Sequence, residues 1–320
     1  MSATNDDCFG HVLDPTCRLI LWLSGAMKII RTTPIALTCI FMLSLGAPPA
    51  SALDASAIPV SWESPCQQVR FVAVRGSGET NQTARGLGAI PNAIITEAVA
   101  NLPGSLGPDS VGLSAVDYPA VVQSAADYNA SVNAGLAELT KQLRSRNKQC
   151  PNEQVFLVGH SQGAHVIHRL LLQDEFANAK WIRQATLVAD PARPVDSKKG
   201  VGGTFNTLAL TAGQTAEKNI PKSARKKVKN ICSTYDIICS TPLNATLAFA
   251  LAGITTACDT HTNGYAGRPR AGCWSRPPLA TPAVRDILAS AGLSEQSFNQ
   301  EFSVNRVANE GKRLAQLVKG

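Results

Sequence analysis

Charge is sparse in this chain. Of its 320 residues only 17% are Asp, Glu, Lys or Arg, against 44% that are hydrophobic. That balance excludes an intrinsically disordered chain, which buries too little apolar surface to offset its conformational entropy. There is no Gly repeat and no sustained heptad, so collagen-like and coiled-coil architectures are excluded as well. No internal repeat and no low-complexity linker divides the sequence after residue 52, and one large domain is the expected count although the length allows two. No His/Cys/Asp/Glu cluster has metal-ligand spacing, and no Gly-rich loop precedes a lysine-bearing helix. Neither a metal nor another cofactor is therefore expected. Nucleic acid is not expected as a partner either: the net charge of +7 comes with no recognised binding motif.

What the N-terminus does have is a leader pattern. Met27-Lys28-Ile29-Ile30-Arg31 is followed by an uncharged stretch from Thr32 to Leu53, with an apolar centre from Ile35 to Leu45 and then Gly46-Ala47-Pro48-Pro49-Ala50-Ser51-Ala52. A basic start, a short apolar run and a small-x-small end predict a secretory signal over 27–52, cleaved after Ala52. A membrane anchor is the competing reading, but Pro48 and Pro49 break the helix it needs. Residues 1–26 read as an N-terminal extension or an over-long start, and 53–320 as the mature domain. Cleavage removes Cys8, Cys17 and Cys39, leaving six of nine cysteines: Cys66, Cys150, Cys232, Cys239, Cys258 and Cys273. An even number is what an exported, oxidised domain requires, so the expected location is secreted or associated with a cell envelope.

In the mature region, short apolar strands alternate with helices. Strands are predicted at Gln68–Val74, Val111–Tyr118, Gln154–Val158, Thr186–Ala189 and Val228–Cys232. Helices are predicted at Gly88–Asn101, Val121–Arg144 and Ala164–Leu172, and Pro194–Lys227 reads as surface loop. The pattern predicts an α/β fold with a mostly parallel sheet covered by helices on both faces.

Gly159-His160-Ser161-Gln162-Gly163 lies between the third strand and the helix from Ala164, fitting G-x-S-x-G. Such a strand-to-helix turn strains the serine and exposes its Oγ, while the helix start offers the Gln162 N–H to a developing oxyanion. A serine nucleophile needs a base, and the base an orienting acid. Of the histidines after Ser161, His165 and His168 fall on the helix that Ser161 opens, leaving His261 as the one able to fold back. For the acid, Asp190 and Asp236 both follow predicted strands. Cys232 and Cys239, seven apart around Asp236, are able to close a ring that fixes its carboxylate, which favours Asp236. Asp190 reads as a structural carboxylate paired with Arg193.

Cys-x-x-x-Asp-x-x-Cys, Gly-His-Ser-Gln-Gly-Ala and Arg75-Gly76-Ser77-Gly78-Glu79, with Tyr118-Pro119-Ala120 and Asp190-Pro191-x-Arg193, resemble the cutinase family of secreted serine esterases over roughly Cys66 to Tyr265. The resemblance implies an α/β-hydrolase fold in a single domain, with Ser161 as nucleophile, Asp236 as acid and His261 as base. It also implies an oxyanion hole from Ser77 and Gln162, and a Cys66–Cys150 disulfide. The sequence departs from the family pattern in the extra Cys258, for which Cys273 is the expected partner, and in a long continuation past His261. Both departures are expected beside the mouth of the site.

The function expected is hydrolysis of a carboxylic ester of cutin, lipid or envelope-glycolipid type through an acyl-enzyme, by a monomer. Transfer of the acyl group to an envelope hydroxyl, or non-catalytic wall binding, are the alternatives. The run Lys222, Arg225, Lys226, Lys227, Lys229 suits an anionic envelope surface. Asn81, Asn129 and Asn244 open N-x-S/T triplets.

Overall fold

The computed structural model describes residues 52–213 and 215–318. The readings of 1–26 and 27–52, with Cys8, Cys17 and Cys39, lie outside these residues apart from Ala52. The chain runs through β1 (Val69–Val74), α1 (Ala89–Ala100), β2 (Val111–Ala115), α2 (Ala125–Gln149), β3 (Gln154–His160), α3 (Gln162–Leu170), α4 (Asp174–Ala177) and β4 (Ile182–Val188). It continues through β5 (Val201–Gly202), α5 (Thr204–Thr211), α6 (Lys222–Arg225), β6 (Val228–Ile231), β7 (Thr241–Pro242) and α7 (Ala245–Cys258), and ends with α8 (Pro282–Ser290), α9 (Glu295–Phe302) and α10 (Arg306–Val318).

Five strands form one wholly parallel sheet in the order β2-β1-β3-β4-β6, and β5 pairs β7 in a small antiparallel ladder. Residues of β1 and β3 are buried almost without exception, because helices cover both faces. On one face α1 and α10 pack together over Phe71, Leu113 and Phe156. On the other, α2 and α3 pack over Val72, Val74, Val155 and Leu157. A third core of Tyr235, Leu251, Ile254, Trp274, Phe298 and Phe302 is made by α7 to α9 and the segment after β6. The fold is an α/β-hydrolase type, and its parallel strands deliver their carboxyl ends to one edge, where ligands bind in such sheets.

The N-terminal edge of the sheet is committed to stability. Glu153, buried just after the Cys66–Cys150 disulfide, accepts Arg70 Nε at 2.9 Å and Arg146 Nε at 2.6 Å. Two guanidinium groups satisfying one carboxylate are the arrangement that makes a buried charge tolerable.

Two sequence expectations are corrected here. The helix expected from Val121 starts at Ala125, because the Ser124 hydroxyl accepts the Asp127 N–H and caps it. Pro194–Lys227 is not a plain surface loop: it contains β5, α5 and α6. The leucines of the α5 segment TFNTLALT, Leu208 and Leu210, are exposed rather than buried against the core, so its helix depends on tertiary ties. Buried Asn206 supplies them, donating to the Ala192 carbonyl at 2.8 Å and accepting the Glu217 N–H at 2.7 Å.

Candidate active site

Ser161 occupies the turn between β3 and α3 at φ 54°, ψ −120°, a conformation rare for a residue with a side chain. Its N–H donates to the Val188 carbonyl at 2.8 Å, and the flanking glycines leave room for the turn. A Cβ at Gly159 would lie 2.6 Å from the Gly163 carbonyl oxygen, and one at Gly163 would overlap the Val74 carbonyl. Strand, turn and helix therefore meet so closely that only glycine fits two positions before and two positions after the serine. As first residue of α3, Gln162 has an N–H without an intrahelical acceptor. Its side chain is buried and braces the neighbouring chain, donating to the Val121 carbonyl at 2.8 Å and accepting from Ser131 Oγ at 3.0 Å.

Asp236 lies in the loop after β6, enclosed by the Cys232–Cys239 disulfide. It is wholly buried, and its Oδ2 accepts from His261 Nδ1 at 2.9 Å and from the Tyr265 hydroxyl at 2.8 Å. Its Oδ1 accepts the Ile238 N–H at 3.0 Å. Burial alone would raise this carboxyl's pKa, but His261, Tyr265 and the Ile238 N–H outweigh it and hold it below the ordinary value. Burial and the facing Asp236 push the Tyr265 hydroxyl well above its usual range, so it stays a donor. Because a carboxylate only accepts, His261 Nδ1 carries the proton and leaves Nε2 for other work.

The segment after β1 is braced from two sides. Glu79 accepts the Gly76 N–H at 2.6 Å and the Ala89 N–H at 2.7 Å. Arg75 donates to the Val116 carbonyl at 2.8 Å and to the Tyr118 carbonyl, while the Tyr118 hydroxyl donates back to the Arg75 carbonyl at 2.6 Å. Ser77, between these braced residues, lines the cavity.

Ser77, Ser161 and His261 line one cavity of about 650 Å³, together with Val122, Tyr128, Pro191, Phe205, Leu208 and Ile238. Most of the lining surface is apolar, although Glu79, Asn129, Thr204 and Thr262 join the serines and histidines in it. Val122 and Leu208 carry the apolar surface out of the cavity onto the exterior, 57% and 58% exposed. Among the described residues no group of His, Cys, Asp and Glu is arranged to hold a metal ion.

The other sequence candidates lie elsewhere. Asp190 is buried and accepts from His168 Nδ1 at 2.8 Å, whereas Arg193 donates from Nε to the Cys239 carbonyl at 2.6 Å. The expected Asp190–Arg193 pair is therefore replaced by Asp190–His168, because the α3 histidine is the group that packs beneath the end of β4. His165 is also buried, between the Tyr128 hydroxyl at 3.0 Å and Glu217 at 3.3 Å. Within the basic run, Lys227 turns inward and donates to the Phe176 and Ala179 carbonyls, both at 2.8 Å, and its burial lowers its pKa to about 8. Lys222, Arg225, Lys226 and Lys229 remain exposed.

A family model described as Cutinase matches residues 65–257, more than half of the chain. The chain belongs to the cutinase family. The match contains Ser161 and Asp236 and stops four residues before His261. Carboxylesterase Culp1 of Mycobacterium tuberculosis is 28% identical over 198 residues, covering 61% of this chain and 80% of its own. Cutinase CUT1 of Coprinopsis cinerea is 26% identical over 204 residues, covering 63% of this chain and 85% of its own. A solved cutinase-like protein from Cryptococcus aligns at 20% identity over 60% of this chain and 92% of its own, with a TM-score of 0.41 that adds nothing to the assignment. As a cutinase-family member this chain is a carboxylic ester hydrolase, and its three disulfides, Cys66–Cys150, Cys232–Cys239 and Cys258–Cys273, suit an oxidising compartment.

Beyond the family match, His261 and Thr262 line the cavity and Cys258 lies three residues before His261, whereas the long continuation does not reach the lining, contrary to the expectation for that segment. Among the described residues none after Thr262 lines the cavity. Instead α9 supports the acid loop from behind: Glu301 Oε1 accepts from Ser233 Oγ at 2.7 Å, from the Thr234 N–H at 2.9 Å and from Arg306 at 3.0 Å. Phe302 lies against Gly264 in the base loop. Sequence reasoning passed over Tyr265, Glu301 and His160, whose roles rest on contacts between distant segments. A tyrosine four residues after the histidine was the one signal available.

Proposed function

We propose that this protein is a secreted serine esterase in which Ser161, His261 and Asp236 form the catalytic triad. His261 Nε2 takes the Ser161 proton as Oγ attacks the ester carbonyl. The Gln162 N–H and Ser77 stabilise the oxyanion of the tetrahedral intermediate, and collapse expels the alcohol to leave an acyl-enzyme. Water, activated by the same imidazole, releases the acid. Asp236, ionised and fully hydrogen-bonded, orients the ring and stabilises its charged form.

One observation carries this reading: the strained serine of the β3–α3 turn and His261, held from behind by Asp236, line the same largely apolar cavity. The apolar lining and its continuation over Val122 and Leu208 favour an ester with an apolar acyl group, of lipid or polyester type, over a small polar one. The leader pattern and the disulfides support secretion. Exposed Lys222, Arg225, Lys226 and Lys229 suit an anionic envelope surface, an attraction that salt would screen.

An alkyl phosphonate followed by peptide mapping tests the assignment. The wild type is expected to carry the adduct on Ser161, and Ser161→Ala to carry none. An adduct that persists in Ser161→Ala overturns it. Hydrolysis of p-nitrophenyl esters of increasing chain length tests the acyl preference, with acetate as the poorest substrate expected.

A further inference from the structure

We infer that His160, the residue before Ser161, is a positioning residue that holds the His261 backbone and ring in register with the nucleophile. The inference rests on the triad proposed above. His160 is buried at the end of β3, and its Nε2 lies 2.9 Å from the His261 carbonyl oxygen. A carbonyl only accepts, so Nε2 carries the proton. The two imidazole rings lie against each other with centroids 4.8 Å apart and planes 33° from parallel. His261 is thus tied at two points, by its own Nδ1 to Asp236 and by its backbone to His160.

The opposite edge of the ring touches the oxyanion side. His160 Nδ1 is buried with no hydrogen-bond partner among the described residues, and a Cβ on Gly76 would come within 2.9 Å of it. One side chain therefore contacts the segment leading to Ser77, carries the backbone of His261, and is covalently joined to Ser161. A buried acceptor without a donor is unfavourable, and a phenyl ring would fill the same space without that penalty. What imidazole adds over phenyl is the Nε2–H and its bond to His261. Burial, reinforced by the neighbouring His261, lowers the pKa of His160 to about 3, so the ring stays neutral and does not compete for the Ser161 proton.

The test compares three variants under identical conditions. His160→Phe keeps a flat ring and loses the donor, and is expected to lower kcat roughly 10- to 100-fold with KM within about twofold, the scale of a misplaced catalytic group. His160→Ala is expected to do the same or worse. His160→Gln places an amide N–H near the position of Nε2 and is expected to recover most of the lost kcat. Equal kcat in wild type and His160→Phe overturns the inference, as does a His160→Gln variant that melts like the wild type yet is as slow as His160→Phe. Independently of how these variants fold, nitrogen-15 NMR of the wild-type imidazoles is expected to show His160 neutral and protonated on Nε2 from about pH 5 to about pH 8. The Nδ1–H tautomer there overturns the inference. The two readings fail separately: turnover surviving in Ser161→Ala removes the triad, whereas turnover dependent on Ser161 but indifferent to His160→Phe removes only the positioning role.

Discussion

Two histidine–aspartate pairs stand at the carboxyl edge of this sheet, and on distance alone they are the same. His261 Nδ1 lies 2.9 Å from Asp236, and His168 Nδ1 lies 2.8 Å from Asp190. The difference is in the second ring nitrogen. His168 Nε2 is 2.9 Å from the Lys218 carbonyl and its side chain is fully buried, so both nitrogens donate and the ring is held as an imidazolium. The His261 side chain is 23% exposed and lines the cavity, with Nε2 given no protein acceptor among the described residues. A histidine–carboxylate pair becomes a candidate general base when its outer nitrogen faces substrate, and a structural tie when that nitrogen is already bonded to the backbone.

The largest effect expected comes from removing the proposed nucleophile in the same cavity as His261. Ser161→Ala should lower turnover by about 10⁵-fold or more while the protein stays folded, leaving only the contribution of the oxyanion site and binding. Retention of a tenth of wild-type turnover would remove Ser161 from the role. The comparison is tested next through its acids. Asp236→Asn should cost roughly 10⁴-fold in kcat through loss of the correct His261 tautomer. Asp190→Asn, assayed well below its melting temperature, should stay within about a few-fold of wild type and act on stability. The reverse ranking in folded variants would exchange the two roles.

Tyr265→Phe sharpens the comparison further, because Asp190 has no tyrosine counterpart among its hydrogen-bond partners. Its removal leaves the Asp236 carboxylate with one donor fewer, and kcat is expected to fall about tenfold, the worth of one hydrogen bond to a charged group. Unchanged kcat would make Tyr265 a packing residue alone.

The smallest effect expected is on stability as a function of pH. Burial alone would lower the pKa of His168, but Asp190 and the Lys218 carbonyl outweigh it and raise it above the ordinary 6.5. Burial alone would raise Asp190, but the His168 charge outweighs it and lowers the carboxyl below 3.8. The stability from His168 is complete below 6.5 and lost as pH rises through its raised folded value. That from Asp190 is complete above 3.8 and lost as pH falls through its lowered folded value. His168→Gln should therefore lose about 1–3 kcal/mol near pH 5, with the gap to wild type narrowing toward alkaline pH. Calorimetric melting across that range measures it, and a gap that widens with rising pH would contradict the imidazolium assignment.

The legible parts of this protein were those written in adjacent residues. The alternation of β1, α1, β2 and the elements up to α3 appears in short-range apolar pattern, and the β3–α3 turn appears in five consecutive residues whose glycines are required by backbone contact. The α5 helix was not legible, because it is held by Asn206 reaching segments on either side of it rather than by its own periodicity. The start of α2 was missed by four residues for a related reason: one serine hydroxyl ended a periodicity that the apolar residues alone would have continued.

The sequence by itself determined the α/β class, the strained serine turn, and the short list of one distant histidine and two aspartates. These follow from local sterics, from hydrophobic period and from counting residue types. The local Cys232–Cys239 spacing already favoured Asp236 as the partner of His261; only the tertiary structure decided that Asp190 meets His168 rather than Arg193, since nothing local brings an α3 side chain to the end of β4. It alone also decided that Tyr265, Glu301 and His160 converge on the Asp236 and His261 loops. Each of those contacts joins segments at least 29 residues apart in the chain, and a hydrogen bond over such a separation exists only once the core has brought its two ends together.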